Sequence, residues 1–397
     1  MADILAFGRA ERVRRRRKPP TGLLVLVAIA VLVGIALWHG RAPGPVAGAG
    51  VATPSPRPAE GAGGAPARYR LEGRRTAGPV GLRLLVGGGD PVVVDAHTGR
   101  VAPWRRLRPL AAGNTVALQR LPAATVALVN DAQYQPVAAY VLPDVGGTVS
   151  VGRVEGVLPA VGGGLFGYNS GSTSPPGRLV RLDADGRVLW RRNFSLPTFV
   201  QADTPHGLLV WSIPGAPVPG GPLRLVDART GKIRRELGRA GFILASTPDA
   251  VAWVPDRCGD QCQLTVTDLA SGRSTRYTTP DGRLPGYAAF SPNQRLLAVS
   301  FFGLHEQTPE LNRDGFAAVL DLVSGRLRTI PGLTTESKSA ASLAWSPTGA
   351  WLAMGVRSPS GNYSDRLVLW RSGETGLTVL PPVLPAESSA SGLVILP

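Results

Sequence analysis

The chain has 397 residues, 44% of them hydrophobic and 18% charged, with 50 Gly and 37 Pro. That leaves ample material for a core, in one large domain or two, and the turn-rich chemistry favours many short strands over long helices. The net charge of +16 does not point to nucleic acid: seven basic residues face two acidic ones in the first twenty positions, and elsewhere the charge is scattered Arg with no basic stripe among stacking aromatics.

In chain order, residues 1–20 form a basic tail carrying Arg12, Arg14 to Arg17 and Lys18. Thr21 to Trp38 follows as an uncharged run of 18 residues, about the minimum for a membrane-spanning helix. Only Arg41 closely follows the run, so the expected topology is a single pass with the amino terminus in the cytoplasm and the rest outside it. The rival reading is a cleaved signal peptide. Against it stand the length of the run and the poor cleavage context Trp38-His39-Gly40-Arg41, so an uncleaved anchor in the cell membrane is expected. Residues 39–68 are dominated by Ala, Gly and Pro and read as a disordered linker, because they cannot bury enough apolar surface to offset ordering entropy.

From residue 69 to 397 one phrase recurs. An apolar run, Asp, two or three residues, Gly, a basic residue and a second run occur at Asp95, Asp227, Asp268 and Asp321, with a shortened copy at Asp183. Degenerate copies stand at Pro143 to Gly147 and Trp370 to Gly373. The Asp side chain turns the backbone and Gly takes the positive φ of a tight hairpin. A second phrase precedes each copy but the first: "AAFSPNQRLLAVS", "LAWSPTGAWLAMG", "ILASTPDAVAWVP", "VQADTPHGLLVWS" and, more weakly, "LPAVGGGLFGYN" and "LQRLPAATVALV". There Pro pre-sets a turn. Each repeat therefore holds four strands, a to d, every ~40–50 residues, the signature of a β-propeller blade. Seven blades are expected. Blade 1 lacks its own strand a, which either the leftover Leu393 to Leu396 or Tyr69 to Arg74 can supply; closure by the carboxy-terminal strand is the expectation, because it removes open sheet edges.

"AAFSPNQRLLAVS" and "LAWSPTGAWLAMG" resemble the repeats of TolB-type and WD-repeat propellers. "RLVRLDADGRVLWRR", with Asp183, Gly186 and Trp190, is similar to the PQQ-type repeat. The resemblance implies an all-β, seven-bladed propeller of four-stranded blades and carries no activity with it. No Trp-Asp dipeptide is present. The preference for Arg over Lys, with abundant Ala, Gly and Pro, resembles the bias of a GC-rich actinobacterial genome.

Cys258 and Cys262 fall in the b–c loop of blade 5, close enough across a Gly-Asp turn for a disulfide; a redox or metal role lacks a nearby His. No catalytic, metal-binding or cofactor-binding constellation is evident: His39, His97, His206 and His305 are isolated, and no Gly-x-Ser-x-Gly elbow occurs. The b–c loops are the long, variable connections, and recognition concentrates on such loops. Candidate partner-binding residues are His305, Glu306, Glu310, Asn312, Arg313 and Asp314 in blade 6, with Asn362, Tyr363 and Asp365 in blade 7. The expectation is a non-enzymatic, membrane-anchored scaffold or sensor in the cell envelope with a protein partner. The alternative is a small-ligand or glycan-binding propeller, enzymatic or not, that uses its central channel. Strands a, read as largely Ala, Phe, Ser and Trp, show no polar groups that would converge there.

Overall fold

A computed structural model describes residues 70–396 apart from 72, 75–77, 108–109, 172–175, 195–196, 213–219, 257–261, 303–314, 336–341, 358–363, 382–383 and 385–387. The basic tail, the Thr21–Trp38 run and the linker lie outside these residues. Among the described residues there is no α-helix, and so none long and apolar enough to cross a membrane. One 3-10 turn at Pro280–Gly282 interrupts an otherwise all-β chain.

The strands pair into seven antiparallel four-stranded meanders, an arrangement consistent with a β-propeller. Blade 2 is Thr115–Leu121, Ala124–Asn130, Pro136–Pro143 and Val149–Gly152. Blade 3 is Gly156–Pro159, Leu165–Asn169, Gly177–Leu182 and Val188–Phe194. Blade 4 begins with Thr198–Thr204, Gly207–Ser212 and Gly221–Val226, and ends in the long strand Ile233–Ser246. That strand bends at two register shifts, so its second half is strand a of blade 5, followed by Ala250–Pro255, Gln263–Asp268 and Ser274–Thr278. Blade 6 is Pro285–Phe290, Leu296–Phe301, Gly315–Asp321 and Leu327–Thr335; blade 7 is Ser342–Trp345, Trp351–Arg357, Ser364–Arg371 and Leu377–Val379.

Blade 1 is closed from the carboxy-terminal side. Ser388–Leu396 pairs antiparallel with Arg83–Gly88, aligning Leu393 with Val86, Ile395 with Leu84 and Leu396 with Arg83. Val92–Asp95 and Val101–Pro103 complete that blade. The alternative donor is placed elsewhere. Arg70–Leu71 pairs antiparallel with the outer strand of blade 6, and Gly73–Arg74 pairs parallel with that of blade 7.

Alternation of apolar side chains on each strand gives every blade two faces to bury. The buried residues accordingly fall into seven clusters, each shared by two neighbouring blades. Leu142 and Val116 pack with Leu85 between blades 1 and 2, for example, and Leu208 packs with Phe166 between blades 3 and 4. The remaining interfaces are filled in the same way. The cluster between blades 7 and 1 joins Leu367, Leu369 and Ala353 to Leu84, Leu393 and Ile395, and so closes the ring.

Candidate functional site

The a–b and c–d turns emerge at one end of the blades, and there the repeated Asp residues are tied into the backbone. Asp95 Oδ1 accepts from the Thr98 N–H at 2.7 Å and its hydroxyl at 2.9 Å. Asp227 Oδ1 repeats this with Thr230 at 2.8 and 2.9 Å, and Asp268 with Ser271 at 2.6 and 2.6 Å. Asp321 Oδ1 accepts from the N–H groups of Val323 and Ser324, and Asp183 Oδ1 from those of Asp185 and Arg187. The glycines that follow have φ near +70° at Gly99, Gly231, Gly272 and Gly325, the left-handed value at which a side chain is strained. These hydrogen bonds favour the ionised form. The Thr98 N–H, Thr230 N–H, Ser271 hydroxyl and Ser324 N–H respectively hold Asp95, Asp227, Asp268 and Asp321 below the usual carboxylate range. A carboxylate fixed in its own turn is a poor general base, so the repeat is architectural.

In four places the turn glycine also admits a side chain from the preceding blade. A Cβ on Gly186 would lie 2.7 Å from Val149 Cγ1, and one on Gly272 would lie 2.9 Å from Arg235 Cδ. The Arg192 guanidinium lies over Gly231 and the Tyr277 ring beside Gly325. Arg235 uses this position to donate to the carbonyl of Ala270 at 2.8 Å, latching blade 4 to blade 5.

The two described histidines do not converge. His97 Nδ1 sits 3.1 Å from the Gly78 carbonyl oxygen, His206 lies in an a–b turn where its N–H donates to Thr204 Oγ1, and His39 and His305 lie outside the described residues. Among the described residues no group of His, Cys, Asp and Glu is arranged to hold a metal.

Strands a of blades 2 to 6 surround a cavity of about 450 Å3 in the central channel, towards the a–b end. Its polar lining consists of Gln119 and Arg120 from blade 2, Tyr168 from blade 3, Gln201 from blade 4, and Ser246 and Thr247 from blade 5. The sequence-based expectation that strands a bring no polar groups together is therefore corrected. The strands a of blades 6 and 7, PGYAAF and SLAW, fit that description, whereas strands a of blades 2, 4 and 5 bring Gln119, Arg120, Gln201 and Ser246. In the sequence these residues stand two to four positions before the Pro turns, in "LQRLP", "QADTP" and "ASTP".

Arg120 makes a bidentate ion pair with Asp144, both contacts at 2.6 Å, and this hydrogen bonding holds the Asp144 carboxyl below its ordinary range. Ser246 Oγ donates to the Gln201 carbonyl at 3.0 Å, and Thr247 Oγ1 pairs with Gln294 Oε1 at 2.8 Å. The Tyr168 ring covers Gly156, where any Cβ would collide with it. Burial, and secondarily the charge of Glu155, push its phenol up to about 12.

Of the expected partner-binding residues, His305, Glu306, Glu310, Asn312, Arg313 and Asp314 lie outside the described residues, as do Asn362 and Tyr363. Asp365 falls on strand Ser364–Arg371, but its side chain is outside the description. Cys262 is buried; Cys258, and with it the expected disulfide, lies outside. Two b–c connections are described in full, residues 89–91 in blade 1 and residues 131–135 in blade 2. In blade 2, Asp131 Oδ1 accepts from the N–H groups of Gln133 and Gln135, and the turn presents Tyr134 at 74% exposure with φ +59°. The sequence reading passed over Tyr134, because a five-residue turn drew less notice than the longer loops.

No family model matches the chain, and no curated protein matches it in sequence. Solved structures similar in shape include a chain of the mitotic checkpoint complex, at 13% identity and TM-score 0.47, covering 82% of this chain and 100% of that one. The Dos1 propeller is similar at 13% identity and TM-score 0.43, covering 77% and 81%. A Synechocystis apocarotenoid oxygenase is similar at 14% identity and TM-score 0.48, covering 80% and 94%. Likeness at this level transfers no function, and the propeller reading rests on the strand pairing and the seven shared clusters.

Proposed function

We propose that the chain is a membrane-anchored, extracytoplasmic scaffold or sensor of the bacterial cell envelope that binds a protein partner through its b–c loops without turning it over. The observation that carries this reading is the contrast between the two ends of the blades. At the a–b and c–d end the repeated carboxylates are consumed in turn geometry. At the b–c end the connections differ in length and chemistry, from residues 89–91 in blade 1 to residues 302–314 in blade 6, and the one at blade 2 holds an aromatic residue out in solvent. Exposed aromatics on loops of a fixed scaffold are favoured anchors for partners. Thr21 to Trp38 supplies the anchor, residues 39–68 the linker, and a Cys258–Cys262 bond pins the blade 5 loop. The test is photocrosslinking in cells from His305, Asn312 and Tyr363, with Thr98 and Ser324 at the other end as controls. One protein captured from the first three positions alone supports the reading; equal capture from both ends, or none, sinks it.

The channel cavity favours a second, compatible reading, in which the propeller holds a small ligand between strands a of blades 2 to 6. Its size lies within the roughly 300–1,000 Å3 range of small-molecule sites.

A further inference from the structure

We propose that the a–b end of the channel is a saccharide site, taking an uncharged polyhydroxylated ring through the carboxamides of Gln119 and Gln201 and the hydroxyl of Tyr168. The proposal rests on the channel reading above and gives it a ligand class.

Charge is the first selector. Among the described residues, Arg120 is the one ionised side chain lining the cavity, and both of its terminal nitrogens are engaged by Asp144. An anion entering here would have to compete with that carboxylate, and a cation meets no acidic group in the lining. Both would give up part of their hydration without gaining a free opposite charge, which is costly. Neutral ligands escape this penalty.

Hydrogen-bonding capacity is the second selector. Among the described residues, the side chains of Gln119, Gln201 and Tyr168 have no hydrogen-bond partner in the protein, although all three line the cavity. A carboxamide offers a donor and an acceptor side by side, and a phenol kept neutral across the physiological range offers both on one atom. Neighbouring hydroxyls on a sugar ring, each donor and acceptor at once, match that set in several orientations. The apolar walls, among them Val200, Ile243 and Phe290, can receive the C–H face of such a ring.

The test is saturation-transfer NMR on the full-length chain with maltose, cellobiose and chitobiose, and with glucose 6-phosphate and trialanine as comparators. Transfer to at least one disaccharide is expected. Its affinity should fall about tenfold in Gln201→Leu and in Gln119→Leu, the loss for one hydrogen bond left unmade. Tyr168→Phe, which removes a single oxygen and leaves the packing on Gly156, should weaken binding similarly and guards against a leucine variant that fails to fold. Val323→Ser, in the c–d turn of blade 6 and 79% exposed, should change nothing. Sugar binding that survives all three channel variants overturns the proposal. Binding confined to glucose 6-phosphate or trialanine, and sensitive to those variants, overturns the ligand class and leaves a channel site standing. Silence from every probe overturns both.

Discussion

Replacing Ile395 by Ala perturbs the closure of the ring without touching any other feature of the blades. Ile395 is 2% exposed and sits in the cluster between blades 7 and 1 with Leu367, Leu369 and Leu84. Val394, its neighbour, is equally buried but faces the opposite way, into the cluster between blades 1 and 2 with Leu85 and Val116. One strand thus serves two interfaces through alternate side chains. Truncating a buried Ile to Ala costs about 2–5 kcal/mol, from lost burial plus the cavity left behind. Removing Leu393 to Pro397 takes away three buried aliphatic side chains at ~1.5–3 kcal/mol each, about 5–9 kcal/mol, before the lost strand pairing is counted. That is comparable with the whole stability of a typical domain, about 5–15 kcal/mol. Urea unfolding followed by tryptophan fluorescence should therefore show a lowered midpoint for Ile395→Ala and no cooperative transition for the truncated chain. A truncated chain that unfolds cooperatively at the wild-type midpoint would refute closure by this strand.

Other outcomes follow from the turns. Gly373→Ala places a methyl group in open space at φ +90°, so it should cost only the conformational penalty of about 1 kcal/mol; Gly186→Ala adds a collision with Val149 and should cost measurably more by the same urea assay. Equal costs would show that the preceding blade's side chain does not need that space. For Asp227 the folded-state pKa is depressed, so its turn stabilises the fold above the ordinary value of 3.8 and loses that contribution as pH falls through the lower folded value. The stability gap between the wild type and Asp227→Asn should accordingly be constant from pH 5 to 8 and narrow progressively as pH falls below 4. A gap that keeps its full neutral-pH size at pH 2 would mean the carboxylate's charge is not what the turn uses. Finally, the proposed Cys258–Cys262 bond predicts that the intact chain takes up no iodoacetamide until reduced. Intact mass after alkylation reads this directly, and labelling without reduction would rule the bond out.

How much of this was legible depended on how local the determinant was. The hairpins at Asp95, Asp183, Asp227, Asp268 and Asp321 were readable because an Asp and a Gly a few residues apart settle a turn without outside help. The closing strand was readable as an apolar run with no partner in its own repeat. The pairing of Arg70–Leu71 and Gly73–Arg74 with blades 6 and 7 was not, since such short pairs use backbone edges that any sequence can offer. The fusion of blades 4 and 5 through Ile233–Ser246 was hidden because a continuous strand carries no turn signal. The channel residues escaped for a different reason. Gln119, Gln201 and Ser246 stand three, four and two residues before their prolines, and register shifts at Val200/Ala202 and Ile243/Ala245 prevent a common offset from revealing a shared direction.

Closure by a strand from the far end of the chain also changes what kind of array this is. A linear stack of repeats frays from its terminal members, which have one neighbour each. Here blade 1 borrows a strand and presses against blade 7, so every blade has two neighbours and there is no end at which unfolding can begin cheaply. Leu396 and Arg83 lie side by side in the same sheet. The far end of the chain is thus held in the same sheet as Arg83–Gly88, so opening a c–d hairpin elsewhere in the ring would leave that seam in place.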